Sequence, residues 1–338
     1  MGAFRSEGIL KTMELFKKRE FNLFVFILFI IFGVSLRTPS FLKLNNLVDI
    51  LNDTAILSMV AIGQLMIIVT GGIDLSVGSS LALSGMSVAL LNQYHPGIPI
   101  SIIILISIAI GLMLGSINGL LVSQAKIPPI ITTLGTMSIY RGLVFVLCKG
   151  TWVSAHEMTE AFRGFPRRSF LGISSLIYLS ILTVVLFLIF LNLTRTGREI
   201  YGVGGNKIAS QYVGINLKKI YYLVFALCGG ITGLAGFLWV ARYAAAQSET
   251  AIGFELQTIA ACVIGGVSIT GGSGTIIGVV LGAFFMGIVY NALTMINVSP
   301  FWQMAIQGFI ILFAIIINTV MDKRNQQLML RKLSLIHI

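Results

Sequence analysis

Residues 98–123 read IPISIIILISIAIGLMLGSINGLLVS, a run without a single charged side chain. A bilayer core about 30 Å thick takes roughly 20 consecutive apolar residues to cross as a helix, and this run supplies them. It is continuous rather than alternating, so it lacks the period-two pattern that a transmembrane barrel strand requires. Comparable runs lie on both sides of it, at 21–37, 54–70, 73–92, 127–147, 171–193, 220–241, 256–270, 274–296 and 301–320. The expectation is an all-α integral membrane protein of about ten transmembrane helices. Composition agrees, with 56% of 338 residues hydrophobic, 10% charged and a mean hydropathy of +0.95, whereas a soluble domain is about 25% charged.

Three regions follow. Residues 1–20 form a basic N-terminal segment, 21–322 the membrane body, and 323–338 a C-terminal tail. The apolar run Phe21–Leu36 follows basic residues as a secretory leader would, but Arg37, Thr38 and Pro39 come next with no small-residue cleavage site, so it reads as an uncleaved first span. The last six residues, Leu333 to Ile338, are what one frame of a sequencing-library transposon end would encode, and they are set aside from the fold argument.

With the N-terminus placed in the cytoplasm, fifteen of the 23 Lys and Arg fall in inside segments, among them Lys17, Lys18, Arg19, Arg195, Arg198, Lys207, Lys218 and Lys219. Seven fall outside, four of them (Lys149, Arg163, Arg167, Arg168) in the 149–170 loop, which runs against the trend. The positive-inside bias puts both termini in the cytoplasm. It also accounts for the net charge of +11 without nucleic acid. Cys148, Cys228 and Cys262 lack CxxC spacing, so neither a disulfide framework nor a metal site is expected.

The stretches 54–92 and 256–296 are each long enough for two spans but are interrupted by glycines. The interruptions resemble each other: Gly71-Gly72-Ile73-Asp74-Leu75-Ser76-Val77-Gly78-Ser79 aligns with Gly265-Gly266-Val267-Ser268-Ile269-Thr270-Gly271-Gly272-Ser273. Breaks at corresponding positions of two halves point to a translocation path. Tight turns at the cytoplasmic surface, with Asp74 capping a helix, are the plainer reading. Asp74 and Arg141 are the charges expected inside the apolar body. Such charges are costly there and mark function or pairing, although Arg141 at a helix end would simply reach for the interface.

What the chain lacks is equally informative. It has no Gly-x-x-x-x-Gly-Lys-Ser/Thr loop for ATP, no paired acids or His/Cys cluster for catalysis, and too few buried charges for an ion-coupled carrier. Active transport would draw its energy from another subunit. The longest polar segment placed in the cytoplasm, 194–219, offers that subunit a purchase. Within it Ile208, Ala209, Tyr212 and Val213 have helical spacing, and a short amphipathic helix ending at Gly214 is expected. A solvated loop that merely enforces topology is the alternative.

Gly71 to Ser79 resembles the signature Gly-Gly-Ile-Asp-Leu-Ser-Val-Gly-Ser of the ribose-type permeases of bacterial ABC importers. The 194–219 segment is similar to that family's pattern through Thr194, Gly197, Arg198, Gly204, Asn206, Ala209, Gly214 and Ile215, although Gly202 and Ser210 stand where Ala is usual. Further matches are Ile127-Pro128, Thr133 to Thr136, Tyr140-Arg141-Gly142 and the second-half Ala260 to Val267. The resemblance spans about residues 20–322, and Tyr140-Arg141-Gly142 with Gly150-Thr151-Trp152 is most like the rhamnose and autoinducer-2 permeases. It implies a non-enzymatic inner-membrane subunit that binds no cofactor. Its partners would be a cytoplasmic ATPase, a second permease copy or paralogue, and an extracytoplasmic solute-binding protein. On this reading Gly71, Gly72, Asp74, Ser76, Gly78, Ser79, Arg141, Gly265 and Gly266 shape the path or its gate. Gly197, Arg198, Gly204, Asn206, Ala209 and Gly214 belong to the ATPase-coupling loop. A self-sufficient carrier or channel for a small polar solute is the competing reading.

Overall fold

The computed structural model describes residues 19–336. Helices α1 (Arg19–Arg37), α2 (Leu44–Val69), α3 (Val77–Tyr94), α4 (Ile100–Ser123) and α5 (Pro129–Cys148) form the first part. A linking region follows, with the short helix α6 (Glu160–Gly164) and a two-stranded hairpin, β1 (Ser169–Phe170) and β2 (Ile173–Ser174). Then come α7 (Ser175–Leu193), α8 (Arg195–Gly205), α9 (Lys207–Tyr212), α10 (Leu217–Tyr243), α11 (Phe254–Ile264), α12 (Ile276–Met295) and α13 (Pro300–Ile336). Residues 1–18 and the last two of the six suspect C-terminal residues lie outside the described part.

Among the described residues eight helices (α1, α2, α4, α5, α7, α10, α12 and a stretch of α13) are long and apolar enough to cross a bilayer. The all-α membrane architecture thus holds, with two corrections to the ten expected spans. The run 256–270 does not span: α11 has 11 residues, about 16 Å at 1.5 Å per residue. The chain leaves helical geometry at Gly265, with Gly266, Gly271 and Gly272 all at positive φ. The helix within 73–92 begins only at Val77, because Gly71 is also at positive φ and Asp74 turns the chain just before it.

Helix α2 is the centre of the bundle, with α10, α12, α7 and α11 packed against it. Helix α10 also packs on α4 along most of its length, and the reason is visible in sequence as small residues three and four apart. A Cβ on Gly111 would lie 2.2 Å from the Gly229 carbonyl oxygen, and one on Gly115 2.3 Å from that of Phe225. Between helices in lipid, where water gives no hydrophobic drive, this close backbone approach is what holds a pair together. Ser107 adds a hydrogen bond of 2.6 Å from Oγ to the Gly233 carbonyl.

Contacts sort the helix ends into two groups. At one end Asn46 and Asn291 pair through both amides (3.0 and 2.9 Å), Ser174 donates to Asn52, and Val153 and Ala246 form a β-bridge. At the other end, Val69, α8, α9 and the loop after α11 come together.

Candidate functional site

The second end is built around one carbonyl. Val69, the last residue of α2, presents its oxygen to the amide of Gly272 at 2.8 Å. Gly204 of α8 lies against the same oxygen so tightly that a Cβ there would sit 1.6 Å from it and 2.5 Å from the Gly272 nitrogen. A Cβ on Gly271 would meet the Val69 oxygen at 2.9 Å, the Gly71 nitrogen at 3.1 Å and the Gly204 oxygen at 3.2 Å. The two glycine breaks, far apart in sequence, therefore touch each other and α8 at a single point. The missing side chains of Gly204 and Gly271 permit their backbones to meet that of Val69 so closely. Tyr201 of α8 donates to the Gly274 carbonyl at 2.9 Å and Tyr221 of α10 to that of Thr70 at 3.4 Å, while Lys207 lies over the Tyr221 ring.

The polar segment forms two helices rather than one. Thr194 caps α8 by accepting from Gly197 N at 3.0 Å, and Asn206 caps α9 by accepting from Ala209 N at 2.9 Å. Gly197 is buried beneath the Phe190 and Leu191 carbonyls, Arg198 is exposed, and Gly214 ends the segment at φ +86°. The short helix expected near Ile208 is α9. The longer α8 was hidden by its glycines, which lower helix propensity but here serve the contact with Val69.

Above this junction lies a buried polar chain. The Asp74 Oδ1 accepts from both the amide and the hydroxyl of Ser76, each at 2.7 Å, and Asp74 is only 3% exposed. Asn118 donates to the Ser76 hydroxyl at 2.8 Å, and Tyr140 donates to the Leu114 carbonyl at 2.9 Å. The Gln64 amide pairs with the backbone of Asp74, accepting from its N–H at 3.1 Å and donating to its carbonyl at 3.3 Å. Ser79 donates to the Ser76 carbonyl at 2.9 Å, and Gly72 packs against Pro129 of α5 and Ile67 of α2. Asp74 thus forms an Asx turn with Ser76, the residue that caps α3, and is not the cap residue itself. Because an amide oxygen can accept the same two bonds, Asp74→Asn is expected to retain most transport and to lose about 1 kcal/mol of stability at most. Asp74→Leu, which strands the Ser76 donors, is expected to lose both. Uptake assays paired with thermal unfolding in detergent read the two variants, and an inactive but stable Asn variant would assign the charge itself to transport.

Arg141 lies twelve residues along α5, about 18 Å from its Pro129 end. Its Nη1 donates to the carbonyls of Ser248 (2.9 Å) and Thr250 (2.7 Å). The segment after α10 therefore turns back into the membrane body before α11 begins, with Thr250 and Ala251 buried. Glu255, in the first turn of α11, places its carboxylate over Gly78 of α3, where an added Cβ would lie 2.4 Å from Oε2. Arg141 and Glu255 are electrostatic neighbours without forming a direct ion pair. Glu255 escaped the sequence reading because it stands one residue before the predicted span at 256–270. An acid beside Gly253 at the edge of an apolar run was the available signal. Gly265, by contrast, packs on Gly278 of α12, each carbonyl within 2.3 Å of where the other's Cβ would be. Among the described residues no group of three or more His, Cys, Asp or Glu gathers to hold a metal.

The model of the family described as branched-chain amino acid transport system / permease component matches residues 46–315. The ribose import permease protein RbsC of Escherichia coli K12 is 36% identical over 289 residues, 84% of this chain and 89% of the relative. The ribose import permease protein RbsC of Bacillus subtilis is 38% identical over 294 residues, 87% and 90% of the two chains. The autoinducer 2 import system permease protein LsrC of an Enterobacter species is 33% identical over 318 residues, covering 94% and 90%. No solved structure matches the chain. The apolar helices, the paired glycine breaks and a match that runs nearly the full length of these permeases agree, and the chain belongs to this family of transport-system permeases.

Proposed function

We propose that this chain is the membrane-channel subunit of an ATP-driven importer for a sugar or sugar-like solute in the bacterial cytoplasmic membrane. Both termini and the α8–α9 segment face the cytoplasm, and ATP is hydrolysed by a separate subunit. The family's description names branched-chain amino acids. The relatives that match over most of their length are named for ribose, galactose and autoinducer 2, and the solute class follows them. A second permease copy or paralogue completes the channel, and an extracytoplasmic binding protein docks on the 149–174 and 242–247 loops, which touch through the Val153 and Ala246 bridge. Arg141, Gly78 and Glu255 sit where a path through the membrane body would pass, and Asp74 with its glycine neighbours shapes the inner end of that path.

The observation that carries this reading is the junction at Val69. A push on α8–α9 reaches both glycine breaks at once, through backbone contacts that cannot yield by side-chain rotation. The surface that would receive the push is also present: Ile208, Tyr212 and Val213 are 68%, 87% and 76% exposed on and just after α9. Large apolar side chains so bare on a short helix suit a groove in a soluble partner. Replacing Tyr212 and Val213 together by Asp is expected to leave the permease folded and to reduce association with its ATPase at least ten-fold. Co-purification from membranes tests this, and undiminished association would remove the segment from the interface. ATP-dependent uptake in proteoliposomes holding the whole assembly tests the function itself. Flux driven by an ion gradient through this chain alone would replace the proposal with a self-sufficient carrier.

A further inference from the structure

Between α2, α10, α11 and α12, at the end opposite the Val69 junction, lies a cavity of about 330 Å³. That is at the lower end of the clefts, roughly 300–1,000 Å³, that hold small ligands. Its wall is aromatic: Trp239 stands against Tyr243 and Phe254 with ring centroids 5.2 Å away in each case, the Phe254 ring edge-on. The rest of its lining mixes hydrogen-bonding groups, Asp53, Gln257, Tyr290 and Asn291 among them, with Leu57 and Gly287. Asp53 is held by Arg242 at 2.6 Å and by the Tyr243 hydroxyl at 3.0 Å, and both bonds fall on Oδ1. The second carboxylate oxygen is left for another donor. Gln257 is fixed by donating to the Tyr290 hydroxyl at 3.3 Å. A second cavity of about 430 Å³, lined by Asp49, Asn52, Arg167 and Ser174, adjoins it across Arg242 and Tyr243.

An aromatic face that takes C–H groups, opposite a carboxylate and amides that take hydroxyls, is the chemistry that recognises a polyol ring. We propose that this cavity is a low-affinity subsite for a monosaccharide. It would receive the solute on the outer side before the solute moves to the path beside Arg141 and Glu255. The proposal rests on the importer reading for its direction of travel. The polar groups that line the cavity are largely committed to partners within the protein, Asp53 to Arg242 and Tyr243 and Asn291 to Asn46, which favours weak, rapidly reversible binding, as a relay requires. The glycerol headgroup of a phospholipid offers similar hydroxyls, so the test must separate the two sources.

Saturation-transfer NMR on the permease in nanodiscs of phosphatidylethanolamine, with D-ribose, D-galactose and L-rhamnose as probes, reads binding at this strength. Saturable transfer to the ring C–H protons of at least one sugar is expected, with half-saturation in the millimolar range. Trp239→Leu and Gln257→Leu should each weaken it five-fold or more, while Trp239→Phe, which keeps an aromatic face and the fold, should largely retain it. Absence of transfer, or equal transfer in Gln257→Leu and wild type, overturns the subsite. So does complete loss of transfer when phosphatidylglycerol is included, which would assign the cavity to lipid headgroups. ATP-driven uptake of the same sugars by the whole assembly is measured in parallel. Uptake without transfer sinks the subsite alone, whereas absence of uptake for every sugar sinks the importer reading.

Discussion

Gly204→Ala is expected to abolish solute uptake by the assembled importer while the ATPase subunit continues to bind and hydrolyse ATP. The added methyl would sit 1.6 Å from the Val69 carbonyl oxygen and 2.5 Å from the Gly272 nitrogen. Both obstacles are backbone, so no rotamer relieves them. Either α8 withdraws, or the 2.8 Å bond from Gly272 to Val69 breaks. Overpacking of this kind costs about 1–3 kcal/mol and sometimes more, which a permease that still inserts would tolerate. The loss should therefore appear in transport before it appears in assembly. The neighbouring residue is the control: a Cβ on Gly205 meets nothing within 4 Å, so Gly205→Ala should transport normally. Equal uptake by the two variants would mean that the junction does not transmit motion.

Arg141→Leu is expected to destabilise the membrane body and to eliminate uptake. The guanidinium satisfies the carbonyls of Ser248 and Thr250 where the chain re-enters the bundle. Each buried acceptor left without a partner costs about 1–3 kcal/mol, and lipid supplies no substitute donor. Glu255 would also lose its nearby positive charge. Arg141→Lys keeps the charge and a donor but not the planar fork, so partial activity is expected. Fluorescence-detected size-exclusion after heating measures the stability, and uptake in proteoliposomes the function. An Arg141→Leu protein as stable and as active as wild type would remove the clamp from both roles.

Much of the architecture was legible from apolar runs and glycine punctuation. The misreadings share a cause. Helix α2 starts at Leu44, ten residues before the predicted span, because its polar first turns find partners that a local reading cannot see. Asn46 pairs with Asn291, Asn52 accepts from Ser174, and Asp53 pairs with Arg242. In the other direction, α11 looked like a span because its residues are apolar, although its length was limited by the glycines after Ile264. The repeat between the two breaks signalled that they correspond. That they touch, and that α8 meets them at the same carbonyl, is a matter of tertiary geometry. Asp74 and Arg141 were singled out as charges inside the apolar body; Asp74 is buried and Arg141 half-buried, and their partners, Ser76 on one side and the 248–250 backbone on the other, differ in kind. One fixes a local turn, and the other ties distant segments together.

The short helix α11 also constrains how the protein is made. At 11 residues it cannot partition into a bilayer as an independent hairpin leg, and the non-helical chain of turns leading into it carries backbone groups that hydrocarbon will not solvate. During synthesis this stretch must wait in an aqueous or translocon-shielded state until α2 and α10 are already paired. It then closes as α12 emerges behind it, with Gly278 and Gly282 fitting against Gly265 and Ala261. A chain truncated before residue 276 and released from the ribosome should therefore leave residues 248–264 open to cysteine-labelling reagents, and the full chain should protect them. Biogenesis would then have a late, ordered step, imposed by a helix too short to enter the membrane alone.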